Sequence, residues 1–122
     1  MATLDLDILQ GSLEKLVDDT PEMQGSAVVS PDGLILVSTF QDRDQNDRLA
    51  AMASELLNAG TMTVRELGFG DFFANMVLGA EGGAIVRGVD EEMVLCALIK
   101  RGANIGQVWQ QINRTVTRLK AL

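Results

Sequence analysis

The sequence predicts an α/β (α+β) fold: one five-stranded antiparallel sheet with helices on both faces, in the order α-β-β-α-β-β-β-α. Three observations point there. Three segments repeat apolar residues at helical spacing. Five short segments between them are rich in β-branched and other apolar residues. The links between neighbouring strands are too short for parallel crossovers. The 122 residues hold no internal repeat and no linker-like stretch, so the chain reads as one domain, 1–122.

Leu6, Leu9, Leu13, Leu16 and Val17 predict a first helix from about Leu4 to Asp19, ended by Thr20 and Pro21. Ser26 to Ser30 and Leu34 to Phe40 read as strands around the turn Pro31-Asp32-Gly33. There Pro presets φ, Asp bonds its own backbone and Gly takes a positive φ. A long second helix is expected from Asp44 to Leu67, its start crowded by Asp42, Asp44 and Asp47, which suit the helix dipole. Leu49, Met52, Ala53, Leu56, Gly60, Val64 and Leu67 share one face, and Ala50 and Leu57 widen it. Gly68 and Gly70 stop the helix.

Strands are then expected at Phe72 to Gly79, Ala84 to Gly88 and Met93 to Ile99, joined by Glu81-Gly82-Gly83 and Asp90-Glu91-Glu92 as an antiparallel meander. The first of them is nearly continuous apolar sequence, the mark of a strand covered on both faces. Asn104 caps a third helix, with Gln107 placed to reach back. Its apolar stripe is Ile105, Val108, Trp109, Ile112, Val116 and Leu119, with Arg114, Arg118 and Lys120 towards its C-terminus.

Composition removes whole classes of chemistry. The net charge of −7 argues against a nucleic-acid partner, which needs a positive surface. No His and a single Cys exclude His-based triads and a Cys/His zinc cluster. One Cys also allows no intrachain disulfide, which suits a reducing compartment. The first seven residues carry acids and no basic flank, unlike a secretory signal, and no apolar run approaches the ~18 residues of a membrane span. A cytoplasmic chain without membrane insertion is expected.

The remaining motifs reduce to structure. Asp42-Arg43-Asp44-Gln45-Asn46 begins like a calcium loop, but Asp47 stands where Gly is needed and Ala53 where a bidentate Glu is needed. Gly68-Phe69-Gly70 begins like a dinucleotide fingerprint, but Phe73 takes the third Gly position and a helix precedes it. There is no phosphate-loop motif. Asp90-Glu91-Glu92 reads as a solvated turn, and Asn113-Arg114-Thr115 matches a glycosylation sequon inside a helix. Cys96, inside an apolar run, reads as core filler. No catalytic residue, cofactor or metal is assigned. Two surfaces remain. The strand from Phe72 to Leu78 has no charge and no Pro, so at a sheet edge it would invite pairing with another chain. The long helix has an apolar arc wider than one sheet needs, with Ala50, Ala53, Ala59 and Gly60 permitting close approach.

The pattern resembles the Roadblock/dynein light chain family. The residues that carry it are Gly25-Ser26-Ala27-Val28-Val29-Ser30-Pro31-Asp32-Gly33-Leu34, the long Ala- and Leu-rich helix after that hairpin, and Ala84-Ile85-Val86-Arg87. The resemblance implies a non-enzymatic homodimer whose long helices pack antiparallel and whose third strands meet edge to edge. Leu57, Gly60, Asn75, Met76 and Val77 would lie at that interface. It also implies a regulator or scaffold of a small Ras-type GTPase, with Arg48, Glu55, Asn58 and Arg65 on the polar flanks of the paired helices as contacts. A dynein-type structural adaptor is one alternative. A small-ligand-sensing domain is another, with Asn75 the polar group aimed into its pocket.

Overall fold

Asp5 opens the first helix: its carboxylate accepts the N–H groups of Asp7 and Ile8, at 3.0 and 3.2 Å. The computed structural model describes residues 5–122, so the expected start at Leu4 lies outside the described residues. Helix α1 (Leu6–Asp18) buries Leu9, Leu13 and Leu16. Strands β1 (Met23–Val29) and β2 (Ile35–Ser38) form the expected hairpin. Gly33, at φ +86°, donates to the Ser30 carbonyl, and the Ser30 N–H bonds the Leu34 carbonyl. That is a three-residue loop closed by a left-handed glycine. Strand β2 stops before the expected Phe40. The Ser38 hydroxyl donates to Asn46 Oδ1 and accepts the Phe40 N–H, turning the chain into helix α2 (Arg43–Glu66).

Asp42 caps α2, and Gly68, at φ +72°, ends it while the Phe69 N–H reaches back to the Val64 carbonyl at 2.7 Å. Strands β3 (Ala74–Gly79), β4 (Gly82–Gly88) and β5 (Val94–Lys100) form the expected meander. The β3–β4 link is shorter than the sequence suggests. Gly79 pairs with Gly82, so the turn is Ala80-Glu81 and both following glycines belong to β4. Helix α3 (Ile105–Lys120) starts at Asn104, whose Oδ1 accepts the Gln107 N–H at 3.2 Å; no return bond from the Gln107 side chain is seen among the described residues.

The sheet order is β2-β1-β5-β4-β3. Helices α1 and α3 cover one face with Leu9, Leu13, Leu16, Val108, Ile112, Val116 and Leu119 over Val28, Ile85, Leu95 and Ile99. Helix α2 covers the other with Leu49, Ala50 and Ala53 over Ala27, Val29, Val86, Val94 and Cys96. It touches β2, β4 and β3 in crossing that face. Its 24 residues make about 36 Å of helix, against about 19 Å between the outer strands of a five-stranded sheet. Helix α2 therefore outruns the sheet, and its last two turns leave the core.

Strand β3 departs from expectation. A run this apolar was expected to be covered on both faces, yet β3 is an outer strand and its second half is exposed. The physical reason is supply: α2 is tied to Asn75, and among the described residues the cover over Met76 to Leu78 leaves them about half exposed. The central β5, equally apolar, is the one buried between helix layers.

Candidate interaction surface

Met76, Val77 and Leu78 are 45, 50 and 57 % exposed along β3. The strand carries no charge, no proline and no register shift against β4, so its outer edge is straight and unprotected. Val77 points to the α2 side. With Met52, Leu56, Ala84 and Leu98 it lines an open apolar groove of about 420 Å³ between the helix and the strand. Past the groove, the tip of α2 presents Met62 and Leu67, and then Phe69 at 74 % exposure. The unpaired edge, the groove and the tip of α2 are the exposed apolar surfaces on this side.

Of the five expected interface residues, only Met76 and Val77 are exposed along this edge. The other three serve their own chain. Leu57 packs on the α2-side core. Asn75 donates from Nδ2 to the Leu56 carbonyl at 3.0 Å, pinning β3 to α2. Gly60 lies under the Phe72 ring: a Cβ there would stand 2.5 Å from Phe72 Cε1. Its small size makes room for a ring of the same chain. The sequence marked the strand that holds Leu78 but not the exposed Met62 and Phe69, neither of which lies on the expected stripe of α2.

Arg48, Glu55, Asn58 and Arg65 are all exposed. Steps of seven, three and seven residues keep them on one side of α2, about 26 Å from end to end. Asn58 and Arg65 also border a cleft of about 540 Å³ at the end of the sheet, shared with Phe72, Arg87, Asp90 and Glu91. Within that cleft's rim the Asp90 carboxylate accepts the Glu92 N–H at 2.8 Å, the solvated turn expected there.

Cys96 is buried in β5, and burial pushes its thiol up to about 12. A neutral thiol is a poor nucleophile. Thiol reagents should therefore label Cys96 slowly in the folded chain and rapidly in denaturant; fast stoichiometric labelling of the native state would contradict its burial. Because the folded pKa is raised, its contribution to stability is complete below ~8.5 and declines as pH rises beyond that.

The Roadblock/LC7 domain model matches residues 9–98, from the first core leucine of α1 into β5. The chain belongs to this family. A curated relative, the uncharacterized protein MJ0310 of Methanocaldococcus jannaschii, is 29 % identical over 107 residues, covering 87 % of this chain and 92 % of that one. A Roadblock/LC7 domain from Streptomyces avermitilis has the same fold, with a TM-score of 0.86 at 23 % identity, covering 92 and 94 % of the two chains. So does Myxococcus xanthus MglB, with a TM-score of 0.87 at 17 % identity, covering 99 and 91 %. Helix α3 lies beyond the matched residues, and in this Roadblock/LC7 chain it completes the sheet's second face.

Proposed function

We propose that this Roadblock/LC7 chain is a non-enzymatic, cytoplasmic homodimer that binds a small Ras-type GTPase as a regulator or scaffold. The observation that carries it is the uncharged, exposed edge of β3 beside an α2 that outruns its own sheet. Pairing two such edges continues the hydrogen-bond ladder across the subunits and brings the two α2 tips over each other's groove. The exposed faces of the two α2 helices then form one platform, with Arg48, Glu55, Asn58 and Arg65 as the contacts. Their placement on one open side of the helix supports this reading.

A regulator must bind the two nucleotide states of its GTPase differently. With a Ras-type GTPase encoded beside this chain, affinity for the GTP-like form is expected to differ from that for the GDP form by ~10-fold or more. Arg48→Ala and Arg65→Ala should each weaken binding. Any acceleration of hydrolysis should come from ordering the GTPase's switch loops. A ~10³-fold loss of rate at unchanged affinity in either variant would instead identify an inserted arginine. Equal affinity for both nucleotide states would leave a structural adaptor.

A further inference from the structure

Strand β3 pairs with β4 in strict alternation. The Gly88 N–H bonds the Phe73 carbonyl at 3.0 Å, and the register from there to Gly79 has no shift. Asn75, Val77 and Gly79 therefore spend their N–H and C=O groups on β4, while Ala74, Met76 and Leu78 turn theirs to the open edge. Two copies joined at that edge about a two-fold axis run antiparallel. Centring the seam on Met76 pairs every outward group, Met76 with the partner's Met76 and Ala74 with the partner's Leu78. A seam centred one residue either way leaves an outward residue of β3 unpaired.

On the α2 side, the same register sets Asn75 of one copy opposite the partner's Val77. Asn75 is the residue pinned to α2, and Gly60 stands beside it. Val77 begins a row across the sheet, since Val77 pairs with Ala84 and Ala84 with Leu98. Those three line the apolar groove beside Met52 and Leu56, with the small Ala84 in the middle. Helix α2 crosses from β2 to β3, so its tip leaves the sheet over the edge of β3. Steps of four, seven, four and three residues keep Leu49, Ala53, Gly60, Val64 and Leu67 on the line that faces the sheet. Leu67 lies about 10 Å beyond Gly60, roughly two strand spacings further on. There the Gly68 N–H bonds the Arg65 carbonyl and the Phe69 N–H bonds the Val64 carbonyl, which fixes Phe69 on the tip. Among the described residues, Phe69 is the most exposed large apolar side chain.

We propose that the seam is centred on Met76 and that the tip of each α2 lies over the row Val77, Ala84 and Leu98 of the other copy, with the Phe69 ring in that groove. The proposal rests on the homodimer of the reading above and adds its register and its anchor. A second copy is the occupant because the seam itself delivers the tip. Antiparallel pairing lays the start of one β3, where α2 is pinned, alongside the end of the other, where the groove opens. The chemistry agrees: the groove is lined by apolar side chains and glycine, and the sheet-facing line of the tip is Val64, Leu67 and then Phe69. An aromatic ring held on a fixed backbone and seated in an apolar hollow is how interfaces gain most of their energy.

Single cysteines read the register. Met76→Cys should cross-link to its own copy under mild oxidation, because a hydrogen-bonded antiparallel pair holds its Cα atoms about 5.5 Å apart, within disulfide reach. Val77→Cys should not, since the partner's Val77 then lies on the diagonal, roughly 8 Å away. Phe69 is tested separately. Phe69→Ala should weaken dimerisation ~10-fold or more, and Phe69→Leu far less. Phe69→Cys should react with thiol reagents ~10-fold more slowly in the dimer than in a Val77→Lys background, where the tip is free. Buried Cys96 contributes little to either rate. An unaltered chain that sediments as a monomer removes the homodimer and this inference with it. In a chain that is a dimer, cross-linking by Val77→Cys and not by Met76→Cys overturns the register. Equal labelling of Phe69→Cys in both backgrounds overturns the anchor, as does protection that appears only when a Ras-type GTPase is added.

Discussion

Val77→Lys is expected to sediment as a folded monomer where the unaltered chain sediments as a dimer. Val77 is half exposed and sits opposite Ala84 on β4, so one chain can let a lysine there reach water. At a β3–β3 seam it cannot. The ammonium would be held against apolar Met52 and Leu56 or the partner's strand, unpaired, at a cost of several kcal/mol. Two-fold symmetry applies that cost twice. At 1.4 kcal/mol per tenfold, even ~2 kcal/mol per protomer loosens the dimer by about a thousandfold. Lysine on an edge strand is also what monomeric proteins use to block pairing. Two results decide the matter. An unaltered chain that sediments as a monomer at roughly tens of micromolar removes the homodimer altogether. A Val77→Lys chain that remains a dimer moves the seam away from β3.

Features set by neighbouring residues were legible in the sequence; features set by distant ones were not. Ser30 to Leu34 specifies its hairpin through Pro31, Asp32 and Gly33 alone, and the structure carries that turn. The helices followed from spacing and the cap of α3 from Asn104, while Asp42, read only as a charge suiting the helix dipole, also caps α2. The ends of β2 and β3 depend on partners far along the chain. Ser38 is turned by Asn46, Phe72 is drawn off the strand towards Gly60, and Phe73 is held by Arg87 and Trp109. Periodicity carries no trace of such contacts.

The same limit explains the candidate site. The apolar run of β3 announces a need for cover, without saying whether the same chain supplies it. The sheet order answers that: β5 sits between two helix layers and β3 sits at the rim. The polar flank of α2 was easier to read, since residues off an amphipathic stripe face water wherever the helix lies. All four flank residues are exposed, as their positions required.

Gly60→Ala should destabilise the fold, by about 1–3 kcal/mol, although the same change at an open helix position stabilises by about 1 kcal/mol. The sign turns on Phe72. A Cβ on Gly60 would lie 2.5 and 2.9 Å from two atoms of that ring, which also packs against Gly88. The ring is part of the α2-side core, so moving it opens space beside Leu57 and Val94. A larger change such as Gly60→Glu would disturb folding before it could report on any dimer. A double-mutant cycle isolates the contact. In a Phe72→Ala background the obstruction is gone, and Gly60→Ala should become neutral or stabilising by up to about 1 kcal/mol. Denaturant unfolding of the four chains, at a fixed concentration so that dimerisation does not shift the midpoints, measures the coupling. If Gly60→Ala stabilises in both backgrounds while weakening self-association, the glycine is kept for a second helix and not for Phe72. If it destabilises equally in both, the strain lies in the helix itself. Only a change of sign with Phe72 fits a glycine hollowed out for a ring of its own chain.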